Sequence, residues 1–100
     1  MPAHRRTTYY SRGRIAEWEL RRILENSGWR CVRSAGSKSI CDLVAFNKEG
    51  KVKMIQVKRF KKNKSFTKEL KELDDMHFLY PHFSWELWVR KDRGQFERVN

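Results

Sequence analysis

A chain of 100 residues with 23 Lys and Arg against 12 Asp and Glu carries a formal charge of +11, large for one small domain. That balance calls for a polyanionic partner, nucleic acid first, because neutralising phosphates releases their counterions. A membrane protein is excluded as an expectation: no apolar run approaches the roughly 18 residues of a span, no basic amphipathic helix is visible and no signal peptide opens the chain.

The chain is 39% hydrophobic with 13% aromatics, enough for a globular but thin core that dimerisation would support. Only Cys31 and Cys41 are present and no CxxC occurs, so the pair reads as reduced thiols rather than a zinc site.

Residues 1–13 read as a basic N-terminal arm, and 14–100 as a single domain. The arm and its junction hold Arg5, Arg6, Arg12 and Arg14, with Tyr9 and Tyr10 among them, and show no helical or strand period. Such a stretch is either a solvated tail or an arm that lies on phosphates while a tyrosine stacks on an unpaired base. The spacing of Ala16, Leu20, Ile23 and Leu24 predicts a helix over Ile15–Ser27, stopped by Gly28. Glu17 and Glu19 lie on opposite edges of that apolar stripe. Each is placed either to pair with Arg21 or Arg22 or to reach round to the strands beneath. Trp18 points nearly away from the stripe, which marks a subunit or nucleic-acid contact.

Trp29–Arg33 reads as the first strand. The small-residue loop 34–39 follows; its backbone N–H groups can cup a phosphate, or it is a plain turn. Cys41–Phe46 and Met54–Lys58 are apolar, β-branched-rich runs of strand length. The turn residues Asn47–Gly50 lie between them, so the pair reads as a hairpin. Alternation puts Gln56 and Lys58 on one face, with Asp42 near the open end of the partner strand. One acid, one amide and one lysine are thus expected at the ends of otherwise apolar strands, either as a plain ion pair beside an amide or as a functional cluster.

Arg59, Lys61, Lys62, Lys64 and Lys68 follow, lining the mouth of that cluster or simply solvated. Ser65 or Thr67 is the expected cap of a second helix running to about Tyr80. Its stripe is Leu70, Leu73, Met76 (or His77) and Tyr80, and Pro81 ends it. Trp85–Arg90 is a strand, Lys91–Gly94 a turn and Gln95–Val99 the returning strand, with Trp85, Leu87 and Val89 on one face and Glu86, Trp88 and Arg90 on the other. His77 and His82 stand at no ligand spacing. Helix, three strands, helix and two strands make an α/β domain with a small mixed sheet of about five strands flanked by two helices.

Four stretches together resemble the archaeal-type Holliday junction resolvases of the PD-(D/E)xK nuclease superfamily, whose relatives also occur in phages and viruses. They are Gly13-Arg14-Ile15-Ala16-Glu17-Trp18-Glu19-Leu20, Val32-Arg33-Ser34-Ala35-Gly36-Ser37, Asp42-Leu43-Val44-Ala45 and Ile55-Gln56-Val57-Lys58. The likeness covers about residues 12–60. Its Arg-Ser-Ala-Gly-Ser stretch is the specific part, whereas Asp…(E/Q)xK alone is a weak signature.

The resemblance implies a restriction-endonuclease-like fold and a metal-dependent endonuclease that nicks four-way DNA junctions as a homodimer. It implies Glu17, Asp42 and Gln56 as the metal positions, Lys58 as the catalytic lysine, and Arg33 and Ser34 on the scissile phosphate. The implied cofactor is Mg²⁺, with Mn²⁺ able to substitute; no small-molecule cofactor is implied, and the setting is cytoplasmic. Arg5, Arg6, Arg12, Arg14, Arg33, Ser37, Lys38, Arg59, Lys61, Lys62 and Lys64 are the expected DNA contacts. The residue types suit the chemistry: hard oxygen ligands hold a cation that neutralises a phosphodiester, and a lysine orients water or stabilises the pentacoordinate state. Two positions depart from the superfamily pattern. Cys41 stands where proline is common, and Gln56 stands for the second acid, which removes a negative charge from the site. A different nuclease of the superfamily, a DNA-binding module with a decayed site and a ribosomal-type RNA binder are the alternatives.

Overall fold

The computed structural model describes residues 9–34 and 40–100. In chain order the elements are α1 (Tyr9–Asn26), β1 (Arg30–Arg33), β2 (Leu43–Phe46), β3 (Val52–Arg59), α2 (Thr67–Leu79), β4 (Ser84–Arg90) and, after a 3-10 turn at Asp92–Gly94, β5 (Phe96–Arg98). The five strands form one sheet in the order β1-β2-β3-β4-β5. Neighbours run antiparallel except β3 and β4, which are parallel. A parallel pair cannot be joined by a tight turn, and α2 makes the crossover. The mixed five-stranded sheet with two helices is the expected architecture.

β3 divides two cores. Ile55 and Val57 meet α1 through Ala16, Leu20 and Leu24, with Leu43, Ala45 and Cys31 from β2 and β1. Met54 turns the other way and packs on the group of Leu73 from α2 with Trp85, Leu87 and Val89 from β4. No disulfide joins Cys31 and Cys41, both of them buried. Among the described residues no helix is long and apolar enough to cross a membrane.

Several boundaries and faces differ from expectation. Helix α1 starts at Tyr9 rather than Ile15, so residues 9–13 of the expected arm are helical. Apolar period registers only what a helix buries, and an anchored helix propagates without it at little cost. Ile23 is 42% exposed, because residues 16, 20 and 24 form the buried line and Ile23 falls beside it. At the other end Trp29 N–H donates to the Leu24 carbonyl and Gly28 N–H to Glu25, a Schellman stop with Gly28 at φ +93°. Helix α2 carries no side-chain cap: Phe66 holds the N-cap position, and Thr67 Oγ1 bonds Ser65 Oγ instead. Tyr80 lies beyond α2 and is exposed.

Burial of Glu86 was not legible in sequence. Alternation turns it toward the α1 side, where it is fully buried. Lys53 Nζ donates to it at 2.7 Å, Ser84 Oγ at 2.6 Å and Trp88 Nε1 at 2.8 Å, with Arg98 Nη1 at 3.5 Å. Lys53 also lies 4.9 Å from the Trp29 ring centroid, so its cation is held from both sides. Burial pushes the Glu86 carboxyl up, but the bonds from Lys53, Ser84 and Trp88 outweigh it and hold the group below the ordinary carboxylate value. A lowered folded value stabilises the fold fully above the unfolded value and loses that contribution as pH falls through the folded one. Glu86→Gln is therefore expected to cost about 2 kcal/mol at neutral pH and to flatten the acid limb of the stability curve. Urea unfolding followed from pH 7 down through the carboxylate range checks both.

Candidate active site

At the open end of the hairpin, β2 leaves β3. Leu43 pairs with Ile55 in register, and Asp42 N–H also donates to the Ile55 carbonyl at 2.8 Å. Two residues of one strand thus meet one of the other, the arrangement of a β-bulge. The next N–H of β3 that points this way belongs to Val57, and the ladder offers it no carbonyl. Asp42 Oδ2 accepts it at 2.8 Å, so a carboxylate replaces the missing backbone partner. Asp42 is bonded on both sides of Gln56. On its other flank the Asp42 carbonyl accepts Ser34 N–H at 2.9 Å, which holds the end of β1 alongside.

The remaining groups arrive from α1 and the strand ends. Glu17 follows the buried Ala16 and sits at the rim of the helix–sheet contact, its side chain 17% exposed. Its Oε1 accepts Arg33 Nε at 2.9 Å. Arg21, one of the expected partners for a helix acid, bonds Glu25. Glu19 on the opposite edge takes a two-pronged contact from Arg90, at 2.7 and 3.3 Å, that ties α1 to β4. A Cβ on Gly94 would lie 2.8 Å from Glu19 Oε2, so a side chain there would push the carboxylate aside, at a φ of +70° that itself favours glycine.

Burial raises the Asp42 carboxyl above its usual range; the Val57 bond opposes this, the Glu17 charge adds to it, and Lys58 and Arg33 pull it back. Glu17, Arg33, Asp42 and Lys58 therefore share one electrostatic neighbourhood, with Ser34 joined through its backbone. Gln56 is 8% exposed, and its Oε1 is buried without a hydrogen-bond partner. A buried acceptor left unpaired is costly, and such atoms collect at functional sites. Among the described residues no three His, Cys, Asp or Glu side chains converge. Two carboxylates and the orphaned amide oxygen fit a hard divalent cation.

The expected DNA contacts are dispersed. Arg14 is exposed on α1, Arg12 lies within that helix, and Arg59 is half-buried at the end of β3. Lys61, Lys62 and Lys64 are exposed on the link to α2, Lys64 lying 5.8 Å from the Phe66 ring centroid. Arg5, Arg6, Ser37 and Lys38 lie outside the described residues. A cleft of about 260 Å³ runs beside Glu17, lined by Arg14, Ile15, Trp18, Arg21, Arg33 and Leu43. Sequence reasoning missed Ile15 and Arg21 as lining residues. The available signal was their helical spacing from Trp18, at three residues either side.

Comparison with known proteins gives both a family match and a structural match. Residues 8–78 match the family model described as archaeal Holliday junction resolvase (Hjc). The fold is similar to the solved structure of Hjc from Archaeoglobus fulgidus, described as a Holliday junction resolvase from an archaeal hyperthermophile. The TM-score is 0.68 at 23% identity, over 89% of this chain and 72% of that one. No curated protein matches the chain.

The geometry at Asp42 sets a test of its energetics. Asn at this position keeps an oxygen for Val57 N–H but removes a charge that burial and Glu17 disfavour. Asp42→Asn is expected to stabilise the fold by on the order of 1 kcal/mol, read as a higher urea midpoint with a chelator present.

Proposed function

The chain belongs to the archaeal Holliday junction resolvase family, and we propose that it cuts four-way DNA junctions by paired symmetric nicks, each leaving a 5′-phosphate and a 3′-hydroxyl. Members of that family are nucleases, and junction resolution is their general activity. The observation that carries the reading is Asp42. Its carboxylate is bonded to the backbone beside Gln56 and shares its surroundings with Glu17, Arg33 and Lys58.

In this reading Asp42, Gln56 Oε1 and Glu17 would hold a divalent cation, Mg²⁺ with Mn²⁺ as a substitute. When bound, it supplies charge neutralisation at the scissile phosphate and acidifies a water. Lys58 donates hydrogen bonds that orient the attacking water or steady the pentacoordinate phosphorus. Arg33, shared with Glu17, and Ser34 grip the non-bridging oxygens. The bulge keeps Asp42 in place through two backbone bonds, so its carboxylate needs little reorganisation during the reaction.

Two symmetric nicks need two sites, which a homodimer supplies on a two-fold substrate. Phe78 (85% exposed) and Leu79 (62%) offer an apolar surface for a second copy. The basic arm, with Arg5 and Arg6, and the lysines after β3 would lie on the DNA arms in the cytoplasm.

Gln56 also supports the rival reading, a junction-binding module without chemistry, because a neutral amide weakens the grip on a cation. A nicking assay on an immobile four-way junction, with and without Mg²⁺, decides between them. Paired nicks that need the cation and favour the junction over linear duplex are expected, and Asp42→Asn is expected to slow them at least about 100-fold. Tight, salt-sensitive binding with no nicks at any metal concentration selects the module. Equal cutting of duplexes and flaps selects another nuclease specificity. Gln56→Glu is expected to shift the metal titration to lower concentration; an unmoved titration removes Gln56 from the ligand set.

A further inference from the structure

Trp18 is 56% exposed and Ile15 44% exposed, neighbours on α1 at the rim of the cleft beside Glu17. Solitary exposed apolar residues need no explanation, but this pair lines one concavity together with Arg14 and Arg21. An apolar rim studded with guanidinium groups is a poor seat for an apolar protein face and a good one for a nucleotide, which joins a flat ring system to a phosphate. The Arg22 guanidinium lies 4.9 Å from the Trp18 ring centroid, so it covers one face of the indole and steadies the ring. The cleft, at about 260 Å³, falls just below the range of pockets for drug-sized ligands and suits a fragment such as a single base. Its wall includes Glu17 and Arg33, which form the 2.9 Å ion pair of the active site.

We propose that this cleft takes one nucleobase unstacked at the branch point, with Trp18 stacking on the base while Arg14 and Arg21 hold its flanking phosphates. The proposal rests on the junction-cutting reading above and deepens it, since a base seated here sets which phosphate reaches Asp42. Bases at an exchange point lose part of their stacking already, so withdrawing one costs less than within continuous duplex. Arg21 forms an exposed pair with Glu25 at 3.4 Å, a contact that yields readily to a phosphate. Trp18 is a positioning residue in this scheme, not a catalytic one.

The test compares the full chain with Trp18→Ala and Trp18→Phe on a four-way junction in chelator, and then in Mg²⁺. Trp18→Ala is expected to weaken junction binding about tenfold and to blur the position of the nicks, whereas Trp18→Phe keeps a stacking ring and restores most of both. A 5-iodouracil placed at nucleotides flanking the branch is expected to cross-link to the peptide holding Trp18. Parental affinity and nick position in Trp18→Ala, or cross-links from duplex arms alone, overturn the proposal. So does loss of self-association in Trp18→Ala by sedimentation, which makes this surface a protein contact. A parent chain that binds no junction sinks the functional reading itself, whereas a parent that binds and cuts just as Trp18→Ala does sinks the base-seating idea alone.

Discussion

The bond from Val57 N–H to Asp42 Oδ2 is the contact on which the site depends. Where β2 bulges away, β3 is left with a donor that the sheet does not satisfy, and a buried donor must find a partner. A carboxylate completes the ladder and at the same time places a charge in partly buried surroundings. A carbonyl would have satisfied the backbone equally well, so the acid is the group whose presence structure alone does not require. The raised pKa of Asp42 is the measure of that conflict: burial and the charge of Glu17 disfavour the ion more strongly than Val57, Lys58 and Arg33 favour it.

The same tension appears at Gln56, which stands between the two residues whose backbone holds Asp42 and whose own Oε1 is orphaned. Stability would favour an apolar residue here, and a buried acceptor with no donor is the kind of local cost that functional sites carry. The opposite side of the sheet shows the contrast. Glu86 is more deeply buried than Asp42, yet hydrogen bonds meet its charge from several directions and lower its pKa. The buried acid is structural because its charge is met; the half-buried one is a functional candidate because its charge is not.

Helix α1 links the two kinds of feature. Ala16, Leu20 and Leu24 fix its rotation on the sheet. Glu17 is thereby set against Arg33 on one edge, and Glu19 against Arg90 on the other. The outward face, with Trp18 and Ile15, then borders the cleft. Rotation of the helix by one residue would separate Glu17 from Arg33, so the core packing and the site geometry are one constraint.

What the sequence determined by itself was local and periodic. Element order, the hairpin, the glycine stop after α1 and the two faces of β4 follow from apolar spacing and turn chemistry. Asp42, Lys58 and Glu17 were legible as candidates because polar groups interrupt apolar runs at strand and helix edges. Tertiary structure alone decided the rest. The helical turns before Ile15 carry no apolar period to read. Ile23 looked buried until the sheet selected the line through residues 16, 20 and 24. The spacing put Glu86 on one face of β4 but did not show that this face is buried, and the pairing of Glu17 with Arg33 joins residues from different elements. Periodicity reports which side of an element is apolar. It does not report which polar groups another element will bury, or whether a buried acid finds enough donors, because those depend on contacts between segments distant in the chain.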